Sequence, residues 1–271
     1  MSCKTTLIAE IGENHLGNMD LARRMVVTAA DHGAHIVKVQ SFHGADTAPD
    51  DPEREWFKQV ELPDAMHFEL KKLAVKHGAR LLSAPFTVER ARFLVEQVGL
   101  TEIKVASGTL RHLPILNYLN SRADVIHTVY MSTGLATLEE IRDCLSRLNK
   151  IRRVVIMHCV ACYPAEDGDA NLRAVGTLRR EFAEHEIGYS DHTRGIEACL
   201  AAVALGATVL EKHFTFNVLM PGSDHAGAMT PQDEAELVRR LERLEAMLGT
   251  GEKAPCPKEK ENWILRNRFG Q

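Results

Sequence analysis

The stretch TLIAEIGENHLGNMDLARRMVVTAADHGAHIVKVQ (residues 6–40) reads as a strand, a helix and a second strand. TLIAEI (6–11) and HIVKVQ (35–40) are short apolar runs. Between them Asn18 stands at a capping position before Leu21, Ala22, Met25, Val26 and Ala29, which recur at helical spacing, and Gly33 follows at the stop. A side-chain oxygen meets the free N–H groups of a helix start, and glycine accepts the left-handed turn at its end. Two strands joined through a helix are parallel.

The same unit repeats along the chain. Further strands are expected at RLLSA (80–84), EIKVA (102–106), DVIHTVYM (124–131), RVVIMHCV (153–160), EIGYS (186–190) and ATVLEKH (207–213), roughly one every 29 residues. Pro63 opens a helix that Gly78 ends. Thr137 and Glu140 have capping-box spacing, and GIEACLAAVAL (195–205) closes at Gly206. Eight strand–helix units point to a single α/β domain, a (β/α)8 TIM barrel. The alternative, an open doubly wound sheet, usually carries G-x-G-x-x-G after its first strand, and this chain has IGENHLGN there. The barrel is expected to span residues 1–248, closing with the helix PQDEAELVRRLERLEAML (231–248). Residues 249–271 form a charged C-terminal tail.

Composition narrows the function. With 271 residues, 45% of them apolar, the chain can bury a large core. A net charge of −4, with both signs interspersed, gives no basic footprint for nucleic acid. No run of about 18 apolar residues would span a membrane. The N-terminal segment has Glu10 within its short apolar run and does not read as a secretory signal. Six scattered cysteines fit a reduced, cytoplasmic setting. Cys159-x-x-Cys162 has no second pair, and strand alternation would turn its sulfurs apart, so it is read as coincidence.

Strands covered on both faces should be apolar throughout, so their polar residues are informative. Glu10, Lys38, Gln40, Lys104, His158, Glu211, Lys212 and His213 interrupt strands. Asn14, His15, Ser107, Thr133, Tyr163 and Ser190-Asp191-His192-Thr193 lie at or just past strand ends. Most fall at the C-terminal ends, where barrel enzymes carry their chemistry. A structural ion pair between Lys38 and Glu10 is the plainer reading of those two. Lys38 and Lys104 with Ser83, Ser107 and Ser190 would suit a phosphate or carboxylate, because ammonium and hydroxyl donors complement oxyanions. A Schiff-base lysine is the other reading. His192 and His213, ending neighbouring strands, could share a divalent metal with open positions or be ordinary hydrogen-bonded histidines. Asp224 could add an oxygen ligand or hold a substrate hydroxyl.

The chain resembles the sialic acid synthase (N-acetylneuraminate synthase) family. The resemblance rests on LIAEIGENHLGN (7–18), IVKVQSF (36–42), LLSAPF (81–86), IKVASG (103–108), MSTGLATLEEI (131–141), HCVACYP (158–164), GYSDHTRGIEA (188–198), VALGATVLEKHFT (203–215) and PGSDHA (221–226), in order over nearly the whole length. It implies a metal-dependent synthase that condenses phosphoenolpyruvate with an aldose to give a 3-deoxy-2-keto sugar acid and phosphate. It also implies a divalent cation, typically Mn²⁺, on His192 and His213. Lys38, Lys104, Ser107 and Ser190 would hold phosphoenolpyruvate. Glu10 would act at the aldehyde, and Gln40, Tyr163 and Asp224 would line the acceptor. A homodimer is implied as well. The family usually has Thr at position 84 and Glu at position 109. Here Ala84 and Thr109 stand there, and Val160, Ala161 and Cys162 precede Tyr163. Relatives carry a C-terminal antifreeze-like domain that this chain is expected to lack, leaving the acceptor side the most altered. A metal-dependent or Schiff-base aldolase and a non-catalytic ligand-binding relative are the competing readings.

Overall fold

In the computed structural model, which describes residues 4–268, eight parallel strands alternate with helices. The strands are β1 (Thr6–Glu10), β2 (Ile36–Ser41), β3 (Arg80–Pro85), β4 (Glu102–Val105), β5 (Thr128–Ser132), β6 (Arg153–Cys159), β7 (Glu186–Asp191) and β8 (Val209–His213). The helices are α1 (Met19–His32), α2 (Arg54–Val60), α3 (Asp64–Lys76), α4 (Val88–Arg92), α5 (Leu113–Ser121), α6 (Leu138–Arg147), α7 (Arg173–Glu181), α8 (Glu197–Ala204), α9 (Pro231–Leu248) and α10 (Pro257–Glu261). Strand order is β3-β2-β1-β8-β7-β6-β5-β4, and the two end strands pack side by side, closing a (β/α)8 barrel. Among the described residues no helix is long and apolar enough to cross a membrane.

Local signals place most elements. The Asn18 side chain accepts from Asp20 N and Leu21 N, and Gly33 ends α1 at φ 115°. The Thr137–Glu140 capping box forms, and Thr230 with Asp233 forms a second one at α9. The fifth strand begins at Thr128 and not at Asp124, because Val125 N and Ile126 N bond Arg122 O in a turn that finishes α5. Helix α2 is an element the periodicity does not announce. Residues 249–266 are exposed, with Trp263, Ile264 and Leu265 carrying apolar surface, and Arg266 lies over the Trp263 ring.

Alternation along the strands sorts side chains into an inner set and an outer set. The inner set fills the barrel in layers. At the N-terminal end Arg80 pairs with Glu102 and Arg153 with Glu186, the latter through two hydrogen bonds. Above them Ile8, Ile36, Leu82, Tyr130, Val155, Met157 and Val209 make a dry plug. Gly188 is required in this layer, since a Cβ there would overlap Met157 Sδ and sit 2.8 Å from Val209 O. The next inward positions, at the C-terminal ends, are charged. The plug thus separates them from the far side of the barrel. The outer set, with the inward faces of the helices, forms the main core.

Helix α9 carries one oddity against α1. Glu234 is fully buried, neither carboxyl oxygen makes a well-formed hydrogen bond, and burial, only partly opposed by the Ala34 backbone, holds its pKa well above the ordinary carboxylate value. The unfolded chain ionises Glu234 near pH 4.5, whereas the folded one resists. Stability is therefore lost as pH rises above the unfolded value. Glu234→Gln should raise Tm at pH 8, by about 2–4 °C per kcal/mol recovered, with the gain shrinking below pH 4. A Tm difference independent of pH in a thermal melt series would sink this assignment.

Candidate active site

The charged upper layer is the floor of a cavity of about 270 Å³ at the C-terminal ends of the strands. Register brings its residues together. Glu10 of β1 stands opposite Lys38 of β2 and His213 of β8, and Ser190 of β7 opposite Glu211 of β8. Lys38 Nζ is in direct contact with Glu10 Oε2 and 3.7 Å from Glu211 Oε1. Lys104 Nζ lies 3.2 Å from the same Glu211 oxygen, which also accepts from Ser190 Oγ at 3.1 Å. All four charged groups are buried.

Two carboxylates beside the same lysines behave differently. Burial would raise Glu211, but Lys104 and Lys38 together outweigh it and hold its pKa down at about 2. Burial dominates at Glu10, opposed by Lys38 and reinforced by Glu211, and its pKa rises to about 7. Burial is the largest influence on both lysines. Lys38 nevertheless ends above its ordinary value because of Glu10 and Glu211, while Lys104 falls below. The floor therefore holds two cations, one firm anion and one carboxyl poised near neutrality.

Two histidines stand at one side. The His192 and His213 rings are 5.4 Å apart, with the Tyr163 ring 4.2 Å from His192 and 6.1 Å from His213. His192 Nδ1 lies 2.7 Å from Val160 O, so the proton on that nitrogen is donated to the carbonyl and Nε2 is left free. His213 Nδ1 is buried without a hydrogen-bond partner, 3.4 Å from Asp224 Oδ2. Burial, with the neighbouring His192 and Lys38, drives its pKa well below the usual imidazole value, so it stays neutral. Among the described residues no group of three or more His, Cys, Asp or Glu side chains is gathered as a metal site.

The cavity is lined by Lys38, Gln40, Lys104, Ser107, Tyr163, Ser190, His192, His213 and Asp224, nine of the expected site residues. Glu10 lies at its base, engaged with Lys38. Ser83 and Thr109 are not brought to it. Leu82 belongs to the inner plug, so alternation sends Ser83 to the outer face. The Thr109 hydroxyl donates to Ala106 O at 3.2 Å within a 3-10 turn. Asn14 and His15 are structural: Asn14 Nδ2 donates to Phe214 O, and His15 Nδ1 accepts from Gly17 N. Cys159 is buried and Cys162 exposed, both as free thiols.

Residues without an earlier role also line the cavity. Glu211 is the centre of the floor, and Glu13, Glu53, Phe57, Phe86, Ser132 and Ser223 complete the walls. Glu211 was visible as a charge in a buried strand, and its register beside two lysines was not.

An outer-face ion pair supports the histidines. Lys212 Nζ donates to Asp191 Oδ2 at 2.6 Å and to Thr193 O at 2.7 Å. Asp191 Oδ1 accepts from Tyr189 OH, Thr193 N and Thr193 Oγ1, each at 2.9 Å. Every lone pair that matters is used, in a fully buried setting, and the backbone on both sides of His192 is held.

The chain is similar to known proteins over most of its length. The profile described as "NeuB family" matches residues 25–253. N,N'-diacetyllegionaminic acid synthase of Campylobacter jejuni is 37% identical over 278 residues, covering 96% of this chain and 82% of that protein. N-acetylneuraminate-9-phosphate synthase of Mus musculus is 31% identical over 93% of this chain and 74% of its own length. The crystal structure of N-acetylneuraminic acid (sialic acid) synthetase from Leptospira borgpetersenii serovar Hardjo-bovis, in complex with citrate, superposes with a TM-score of 0.90. It is 33% identical and covers 98% of this chain and 92% of that one.

Removing one partner of the outer pair leaves a buried charge. Lys212→Met should cost about 3–5 kcal/mol in urea unfolding, and adding Asp191→Leu should recover most of it. A double variant no more stable than the single one would show that the pair is not the source of the loss.

Proposed function

The chain belongs to the NeuB family, and from that premise we propose that it condenses phosphoenolpyruvate with an aldose, giving a 3-deoxy-2-keto sugar acid and inorganic phosphate. The observation that carries the proposal is the convergence of Lys38, Lys104, His192 and His213 on one cavity at the C-terminal strand ends. The relatives' names, as synthases of nonulosonic acids, support the same reaction class.

Phosphoenolpyruvate brings a phosphate and a carboxylate. Lys38, Lys104, Ser107 and Ser190 offer ammonium and hydroxyl donors to them on the floor. Carbon 3 of the enol would attack the aldehyde carbon, and the aldehyde oxygen would take a proton from Glu10. With its pKa raised to about 7, Glu10 is a usable acid near neutrality. Carbon 2 would become electrophilic and water would add there; of the two protons that water gives up as the ketone forms, one would return to Glu10 and the other would leave on phosphate as the C–O bond breaks. Both lysines would meet charge on the departing phosphate. Tyr163, Gln40 and Asp224 line the wall where the acceptor would sit.

His192 and His213 fit a divalent ion. One has a free Nε2, and the other is neutral with an unpartnered Nδ1. Two imidazoles leave more positions for oxygen ligands than a three-ligand site does, which suits Mn²⁺. Such an ion would supply Lewis-acid polarisation of the acceptor carbonyl. Asp224 Oδ2, 3.4 Å from His213 Nδ1, would add an oxygen ligand.

The lysines are expected to stay charged in ion pairs, not to form Schiff bases. Borohydride with pyruvate should therefore leave the mass of the protein unchanged, and a trapped adduct would favour the aldolase alternative. With phosphoenolpyruvate, Mn²⁺ and an aldose panel, phosphate release should appear for at least one aldehyde and vanish with a chelator. Lys38→Met and Lys104→Met should each lower kcat/KM for phosphoenolpyruvate by about 10²–10³. Glu10→Gln should lower kcat by about 10²–10⁴. Absence of phosphate release with every aldose would overturn the synthase reading.

A further inference from the structure

The part of the cavity wall that α2 supplies belongs to an excursion of the chain over residues 44–60, between β2 and α3. Phe57 lines the cavity and packs edge-on against Phe42, which packs in turn against Phe86, with ring centroids 5.4 and 5.7 Å apart. Trp56 donates its indole N–H to Glu13, and a Cβ on Gly222, in the loop that carries Asp224, would come 3.0 Å from its ring. A Cβ on Gly44 would overlap Lys58 N, so the backbone of α2 lies directly on the start of the excursion. Within it Arg54 donates to Thr47 O and, at 2.9 Å, to Ala45 O. A segment packed by its own side chains, with its ends close together, is placed by whatever holds its neck.

That neck is tied by a relay of side chains that ends behind the barrel wall. Glu61 accepts from Gly44 N through Oε2 and meets His43 Nδ1 through Oε1, each at 2.8 Å, which joins the two ends of the excursion. Arg90 Nη1 lies 3.0 Å from His43 Nε2. Arginine only donates, so Nε2 accepts, and the ring proton sits on Nδ1 and is given to Glu61. Arg90 is buried in α4, where its backbone N–H caps onto Thr87 Oγ1. Its Nε donates to Ser41 Oγ at 2.8 Å and its Nη1 to Asp64 Oδ1 at 2.6 Å, and the guanidinium lies 4.3 Å over the Phe93 ring. Ser41 follows Gln40 on β2, and alternation puts Gln40 in the cavity and Ser41 on the outer face. One guanidinium thus holds the end of β2, the neck of the excursion and the first residue of α3.

As a stabilising element this arrangement is poor. Nη2 of Arg90 is buried without a hydrogen-bond partner, and a desolvated cation with an idle donor is costly. What the guanidinium supplies is geometry, because its planar fork reaches acceptors on three elements at once. We propose that Arg90 is a positioning residue for the cavity: acting from outside the barrel through His43 and Ser41, it sets the place of α2, with Phe57 and Trp56, and of Gln40. It thereby governs how tightly the acceptor is held, and it touches neither substrate. This rests on the condensing reaction proposed above and on the acceptor wall assigned there. The lysine floor does not depend on Arg90, since Lys38 and Lys104 are held by strand register and by Glu10 and Glu211.

The test uses the full chain with Mn²⁺, reads phosphate release against each substrate in turn, and adds a readout that needs no turnover. Trp56 and Trp263 are the two tryptophans of the chain, so W263F leaves Trp56 as the reporter of α2. R90M should raise KM for the aldose by about tenfold to a hundredfold and change KM for phosphoenolpyruvate by less than about twofold. In the W263F background R90M should shift Trp56 emission to the red and increase its quenching by acrylamide. R90K should behave as R90M does, since one ammonium cannot span Ser41, His43 and Asp64. E61A, which cuts the neck without altering Arg90, should move both readouts in the same direction, and it carries the test if R90M does not fold. R153M removes an arginine paired with Glu186 at the other end of the barrel, and it should leave the ratio of the two KM values and the Trp56 signal unchanged whatever it costs in Tm. Equal rises in both KM values, or an unmoved Trp56 signal in folded R90M or E61A, would overturn the inference while the condensing reaction stands. No phosphate release from the wild-type protein with any aldose would overturn the condensing reaction and the acceptor role with it, and the Trp56 signal would still decide whether Arg90 holds α2.

Discussion

Two lysines and two carboxylates share the upper layer of the barrel, all four buried. Lys38 and Lys104 both reach toward Glu211, and Glu10 is left to Lys38 alone. Charges buried this way are costly unless paired, and here the pairing is unequal. Glu211 is held as a firm anion, while Glu10 sits at the pH where it can be either acid or base. An arriving anion tips that balance, because it competes for the lysines and favours the protonated form of Glu10. The same imbalance that makes the layer a poor stabilising element makes it able to bind an oxyanion and hold a proton ready.

Everything around this layer keeps it in register. The apolar plug under it, with Gly188 making room for Met157, seals it from the N-terminal end. The two-residue alternation of β7 and β8 then does two jobs at once. Ser190, Glu211 and the two histidines line the cavity, and Asp191 and Lys212, one step along, form a buried pair on the outer face. That pair fixes the backbone flanking His192, so the chemistry on one face of the strand is positioned by the ion pair on the other.

Much of this was readable from the chain alone, and the limits have physical causes. Strand–helix spacing and capping residues carried the barrel, since they are local signals written within a dozen residues. Charges inside otherwise apolar strands located the site for the same reason. Glu211 needed more, because its importance lies in which residues stand beside it across two strands. Ser83 looks like an anion donor and Thr109 stands where the family has an acceptor-side Glu, yet alternation turns Ser83 outward and a 3-10 turn folds the Thr109 hydroxyl back on Ala106 O. Helix α2 is short, lacks a side-chain cap and has no clear period, so the cavity wall it supplies with Phe57 was not visible before the fold.

The cavity thus sets two histidines beside a floor of buried lysines and carboxyls. Its behaviour turns on the proton held by Glu10. The most direct measurement is calorimetric titration of phosphoenolpyruvate near pH 8 in buffers of different ionisation enthalpy, which counts protons taken up on binding. Wild-type protein is expected to take up a proton fraction approaching about one per site, and Glu10→Gln to bind with that uptake lost. Binding with no proton uptake, or uptake unchanged in Glu10→Gln, would contradict the account.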